Sequence, residues 1–314
     1  MGISEARLRF YQKLTATGVL CIDAHGTPSN ADDGGEKQRQ KGQTASVRYA
    51  LGIFQRIQAE VSGSRLSAQS SGSKFEHCVA EYLDETFVKT MSHIRPGKWK
   101  IRTKSEKPSP KPRRKRGVPV VAEVARRGGF EIYAYDQYMH LGHLESLAKQ
   151  NIELASVIGN DYVITPDVVI TREAETDDEL NSAGALVDQD SATLASLRRD
   201  YGARSLLHAS ISCKWTIRSD RVQNARTEAL NLIRNRKGRV PHIAVVTGDP
   251  LPARLAAIAL GTGDIDCVYH FALPELIETV AELDTLGDTC ELLETMTKGR
   301  RLKDISDLPL DLAV

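Results

Sequence analysis

The sequence predicts an α/β architecture, a β-sheet flanked by helices, on three observations. Apolar residues at helical spacing fill most of the first half, and β-rich runs alternate with helical stretches through the second. One of those runs, His242-Ile243-Ala244-Val245-Val246-Thr247, is short, apolar and bounded by Pro241 and Gly248, as a strand buried on both faces requires. At 314 residues, 41% hydrophobic and 26% charged, the chain can bury a substantial core as one large domain or two small ones. We read residues 1–314 as a single domain: a mainly helical part (1–103), a basic Pro/Arg-rich insert (104–129) and a core (130–314).

In chain order, helices are expected over Phe10 to Leu20, Ser46 to Val61 (Val47, Ala50, Leu51, Phe54 and Ile57 inward) and Phe75 to Met91 (Val79, Leu83 and Phe87 inward). Between the first two, Asp23 to Gly35 is dense in turn formers and reads as a loop. From Lys104 to Gly129 the composition turns to Pro, Lys, Arg and Gly, an exposed arm, after which Tyr133 to Gln150 resumes as helix. Strands are expected over Tyr162 to Thr171 and Leu206 to Trp215, with a polar surface excursion around Glu173 to Asp190 between them. A helix over Asp220 to Arg236 buries Val222, Ala225, Ala229 and Ile233. After the His242 to Thr247 strand come a helix (Pro252 to Leu260), a strand (Ile265 to Phe271) and a helix (Pro274 to Leu283). Gly261-Thr262-Gly263 lacks a phosphate-binding pattern and reads as a turn.

Composition narrows the function. No run approaches the roughly 18 apolar residues of a membrane span, and Met1 to Arg7 lacks the apolar core of a signal peptide, so a cytoplasmic protein without a membrane partner is expected. Five scattered cysteines without CxxC pairing point to reduced thiols. The formal net charge is only +1, so any nucleic-acid affinity must come from local basic surface such as Lys111 to Arg116 or Arg234 to Arg239. His140-Leu141-Gly142-His143 has an i, i+3 spacing but no evident third ligand for zinc.

Two charged residues interrupt the β-runs. Asp167 stands in Ile164-Thr165-Pro166-Asp167-Val168-Val169-Ile170, and Lys214 in Ser210-Ile211-Ser212-Cys213-Lys214-Trp215. A carboxylate at the end of one strand and a lysine on the next is how many nucleases hold Mg²⁺ and a water beside a scissile phosphate. Those enzymes usually carry a second acid two residues before the lysine, where this chain has Ser212. Alternation puts Ser210, Ser212 and Lys214 on one face, away from Ile211 and Cys213, and a lysine there needs an anionic partner to stay charged. Glu228 lies beside the apolar stripe of the following helix and can supply the missing acid. From the residues alone two readings stand: a metal-dependent nuclease site, or a structural Asp167–Lys214 ion pair with Glu228 solvated.

The stretches Ser210 to Arg221, Gln223 to Arg226, Asn231 to Arg239, Ile258 to Gly263, Ile265 to Phe271 and Arg301 to Leu312, with His93-Ile94-Arg95-Pro96-Gly97 earlier, closely resemble the NgoMIV restriction endonuclease family. The resemblance is dense in the C-terminal half and patchy in the N-terminal half, and the basic insert departs from it. It implies a PD-(D/E)xK restriction-endonuclease-like fold with a central mixed β-sheet, and Mg²⁺-dependent cutting of GCCGGC in double-stranded DNA. Carried over, it implies that Asp167, the Cys213 backbone carbonyl and Glu228 ligate the metal, that Lys214 activates water, that Glu76 is a further active-site carboxylate and that Ser212 is a hydrogen-bonding neighbour. Arg218, Asp220 and Arg221 would read the central CCGG, a chemistry that suits guanine acceptors and the cytosine amino donor. Arg254 and Gln69 would lie near the outer base pair, although the loop at Gly34 and Gly35 fits the family less well.

The resemblance also implies a homo-oligomer, a dimer of dimers, and a companion DNA methyltransferase in the same system. A palindromic site matches a two-fold dimer, and six base pairs at roughly 1 to 3 kcal/mol per mismatch give ample discrimination. The alternatives are another PD-(D/E)xK nuclease, repairing DNA or resolving junctions, and a non-catalytic sequence-specific DNA-binding protein.

Overall fold

The structure is a computed structural model that describes residues 2–32, 34–35, 43–58, 65–104, 131–151, 164–217, 219–261, 263–284 and 287–314. Most of the basic insert, Lys111 to Arg116 included, lies outside the described residues, as do Arg218 and the start of the strand expected from Tyr162.

Helix α1 (Ile3–Ala16) begins earlier than its apolar pattern suggested, and it stops before Leu20 because Gly18 takes a left-handed conformation, φ +74°, that turns the chain inward. Helix α2 (Ala45–Arg56) is capped by the Thr44 side chain, which accepts from the Val47 amide. Helix α3 (Ala68–Leu83), capped by Ser67 in the same way, runs on into a π-helical turn at Asp84–Val88. Its buried face carries Phe75, Cys78, Val79, Tyr82 and Leu83, and among them Glu76.

Strand β1 (Trp99–Thr103) was not expected. Its alternation is short, with Trp99 and Thr103 buried and Lys100 and Arg102 outward, and it merges with the basic run that follows. After two 3-10 turns, helix α4 (Met139–Gln150) fills the latter part of the helix expected from Tyr133. Strands β2 (Val168–Arg172), β3 (Leu206–Lys214), β4 (His242–Thr247) and β5 (Cys267–His270) fall on the four β-runs, joined by β6 (Leu302–Asp304) near the C-terminus. The excursion between β2 and β3 is ordered by Arg198, which is 1% exposed, grips the Asp177 carboxylate at 2.6 Å and stacks on Tyr201.

Among the described residues the six strands form one sheet in the order β1-β2-β3-β4-β5-β6. The β1–β2 and β2–β3 pairs are antiparallel, and β3 through β6 are parallel. Parallel neighbours need crossovers, supplied by α5 (Ser219–Asn235) after β3, α6 (Pro252–Ala259) after β4, and α7 (Leu273–Leu283) with α8 (Asp288–Lys298) after β5. This is a mixed α/β fold with the sheet flanked by helices. One apolar core runs from Ala6 through the sheet to Leu312.

The polar face assigned to β3 is not open. Ser210 and Ser212 are 4% and 8% exposed because α5 lies across them, and they line a small cavity with Ala225, Glu228, Ala229 and Leu232. The inward stripe of α5 is Ala225, Ala229 and Leu232, while Ile233 is only partly covered.

Candidate active site

Asp167 is the last residue before β2, and its backbone carbonyl accepts from the Lys104 amide at 3.1 Å, which carries the β1–β2 ladder one step further. Its carboxylate is therefore held at the end of the sheet, where β2 and β3 run side by side. Oδ2 accepts from the Lys214 ammonium at 2.7 Å and from the Cys213 amide at 2.8 Å, with the Ser212 hydroxyl at 3.4 Å. The remaining oxygen, Oδ1, accepts from Lys104. The Lys104 ammonium also reaches Glu76 Oε1 at 2.7 Å, so Lys214, Asp167, Lys104 and Glu76 form a row of alternating charges.

Burial opposes ionisation of Asp167, but the ammonium groups of Lys214 and Lys104 outweigh it and hold the carboxyl below its usual range. Glu76 has its affinity for a proton raised by burial, with the Lys104 hydrogen bond working against it. Glu76 Oε2 is buried and has no hydrogen-bond partner among the described residues. Glu228, across the small cavity from Ser212, is raised to about 7, first by burial and then by the negative charge of Asp167. Three carboxyl groups and two lysines, Lys104 and Lys214, thus converge where two strands end and two helices, α3 and α5, close over them.

Sequence reasoning missed two residues of this region. Lys104 was assigned to the start of the exposed arm, yet its ammonium joins the two buried carboxylates. Asp249, in the turn after β4, is fully buried, and its carboxylate accepts from the Ile217 amide at 2.8 Å, the Leu251 amide at 3.0 Å and Arg254 at 3.4 Å. It fixes the backbone that leads into α5. A charged residue between Gly248 and Pro250 looks like ordinary turn chemistry, so nothing local distinguishes it.

Of the remaining candidates, only Arg254 and Gln69 have described side chains. Asp220 and Arg221 belong to the first turn of α5, whose side chains there, with Arg218, lie outside the described residues. Arg254 pairs with Asp32 at 2.7 Å, beside the loop that continues through Gly34 and Gly35. Gln69 is exposed in the first turn of α3, about two turns ahead of Glu76.

The model of the NgoMIV restriction enzyme family matches residues 10–111 and 113–314. This chain belongs to the NgoMIV restriction enzyme family. It is 46% identical, over 311 residues, to the type II restriction enzyme NgoMIV of Neisseria gonorrhoeae, an alignment covering 99% of this chain and 98% of that relative. Membership carries the activity class, site-specific cleavage of DNA, and with it DNA as the substrate. Type II restriction enzymes generally need a divalent metal. Among the described residues no helix is long and apolar enough to cross a membrane.

Proposed function

We propose that this chain is a Mg²⁺-dependent type II endonuclease of PD-(D/E)xK fold that cuts duplex DNA at a palindrome with a CCGG core, GCCGGC. The observation that carries the proposal is the convergence of Asp167, Glu76 and Glu228 with Lys214 at the end of a mixed sheet, in a chain of a restriction enzyme family. The donor set suits such an ion. It consists of carboxylate oxygens, hard ligands of the type Mg²⁺ prefers, and Glu76 Oε2 is a buried acceptor with no donor aimed at it among the described residues. Asp167, Glu228 and the Cys213 carbonyl would hold the ion, with Glu76 beside them. Bound there, Mg²⁺ supplies Lewis acidity to the scissile phosphate and lowers the pKa of a bound water.

The chain's own groups do the rest. Lys214, half-buried and tied to Asp167, has its ammonium directed at the same region and would orient the attacking water and offset charge building on the phosphate. Glu228, poised near neutrality, would lose its proton as positive charge arrives and complete the acid set that Ser212 leaves short. Ser212 would remain a hydrogen-bonding neighbour of Asp167. Arg218, Asp220 and Arg221, at the start of the helix that carries Glu228, would read the central base pairs, with Arg254 and Gln69 towards the outer pair.

Symmetric half-sites call for a two-fold dimer, and we extend this to a dimer of dimers, working in the cytoplasm beside a companion methyltransferase that protects host DNA. The test is a digest of a long DNA of known sequence with protein and Mg²⁺, followed by mapping of the ends. Ends at GCCGGC are expected. Random degradation, or intact DNA, refutes the reading.

A further inference from the structure

The Lys104 ammonium sits between Glu76 Oε1, at 2.7 Å, and Asp167 Oδ1, so it occupies the space shared by two carboxylates that are 4% and 5% exposed. Two buried anions side by side are costly unless a cation lies between them, and a divalent ion would stand in the same relation to both oxygens. We propose that Lys104 is a built-in surrogate cation: it neutralises the Glu76–Asp167 pair in the metal-free protein, and its ammonium must withdraw before a divalent ion can bind, so it sets the metal affinity of the site. This inference rests on the reading of Asp167 as a metal ligand.

The residue is built for such a role. Its backbone is pinned by the amide that donates to the Asp167 carbonyl, so the side chain always starts from the same point. Its side chain is 41% exposed, unlike the half-buried Lys214, at 17%. A four-carbon stem that already faces solvent can swing outward without opening the core. Lys214, by contrast, keeps its hold on Oδ2, the oxygen that also accepts from the Cys213 amide, and leaves Oδ1 as the oxygen to be exchanged. Glu76 Oε2, without a partner among the described residues, gives an arriving ion a second oxygen on that side.

The test measures Mn²⁺ binding to the DNA-free full chain by electron paramagnetic resonance of free Mn²⁺, for the unmodified protein, Lys104→Met, Lys100→Met and Asp167→Asn. Lys100, which pairs with Glu173 at 3.0 Å, controls for loss of one positive charge on β1. Lys104→Met is expected to bind Mn²⁺ roughly tenfold more tightly, the scale of one charge-assisted hydrogen bond that no longer competes. Lys100→Met should stay within about twofold of the unmodified protein, the small effect of a surface charge. Equal or weaker binding by Lys104→Met, or an equal gain in Lys100→Met, overturns the role of Lys104 while leaving the metal site standing. If Asp167→Asn abolishes no Mn²⁺ binding in any background, the metal reading itself falls. Because Lys104→Met leaves two buried carboxylates facing each other, a crystal structure of the unmodified protein with Mn²⁺ gives a second measurement that does not depend on the folding of that variant. An anomalous peak between Glu76 and Asp167 with Lys104 turned out is expected; a peak with Lys104 still bridging refutes the displacement.

Discussion

Replacing Glu228 by Gln tests the electrostatics of the site without DNA. Burial and the Asp167 charge raise the Glu228 carboxyl from the ordinary 4.5 to about 7 in the folded protein. Below pH 4.5 both folded and unfolded states carry the proton, and the full stability contribution is present. Between pH 4.5 and 7 the folded state keeps a proton that the unfolded state has released, so stability falls as pH rises, by about 1.4 kcal/mol per pH unit. Above the folded pKa the loss is complete, and the interval amounts to about 3 kcal/mol. Glutamine is neutral at every pH and close to the shape of the protonated acid, so Glu228→Gln should match the unmodified protein near pH 4 and exceed it by about 3 kcal/mol near pH 8. The assay is urea denaturation of chelator-treated protein across that range, read as the difference between the two proteins so that other titrating groups cancel. A difference that stays constant with pH would refute the reasoning, since it would mean that Glu228 ionises as easily folded as unfolded.

Lys214→Ala should lower cleavage at least about a hundredfold, with binding of GCCGGC duplex in Ca²⁺ largely kept, because an electrostatic stabiliser of developing charge is lost and the reading residues are not; retained cleavage, measured by digestion, removes Lys214 from the mechanism. Arg221→Ala should lose about 1 to 3 kcal/mol at cognate duplex and little at random duplex in competition binding; a uniform loss would make Arg221 a phosphate contact. Gly248→Ala places a methyl 2.4 Å from the Trp215 ring, which is itself packed between Phe75 and Phe271 at 5.0 and 5.2 Å. Overpacking of this kind costs about 1 to 3 kcal/mol, so a clear drop in melting midpoint is expected, and an unchanged one would show that the ring has room to move.

What was legible in the sequence follows from how each element earns its burial. Strands β3 and β4 are mostly apolar or small along their length and buried on both faces, so composition alone marks them, whereas β1 alternates with Lys100 and Arg102 and runs into the basic insert. Strand β6 is three residues long and leaves no periodicity to detect. Asp167 and Lys214 stood out because each interrupts an apolar run, a placement that needs a partner. Glu76 did not, since an acid beside Phe75 in a helix reads as solvated until α3 is seen to turn it inward, and only the family resemblance singled it out. Lys104 meets Asp167 across 63 residues of chain, a separation that no local pattern encodes.

If Glu228 supplies the acid absent at Ser212, as proposed, the fold gives that carboxylate a defined position on α5. Glu228 lies beyond the first turns of a helix whose entry is fixed at Ile217 by the buried Asp249 carboxylate. Its inward face, Ala225, Ala229 and Leu232, is seated on the sheet beside Ser210 and Ser212. The same helix links the proposed reading residues to the proposed metal ligand: were Arg218, Asp220 and Arg221 to meet their bases as proposed, a shift of the α5 N-terminus would be carried along the helix to Glu228. A correct sequence and a competent acid set would then be two consequences of one helix position.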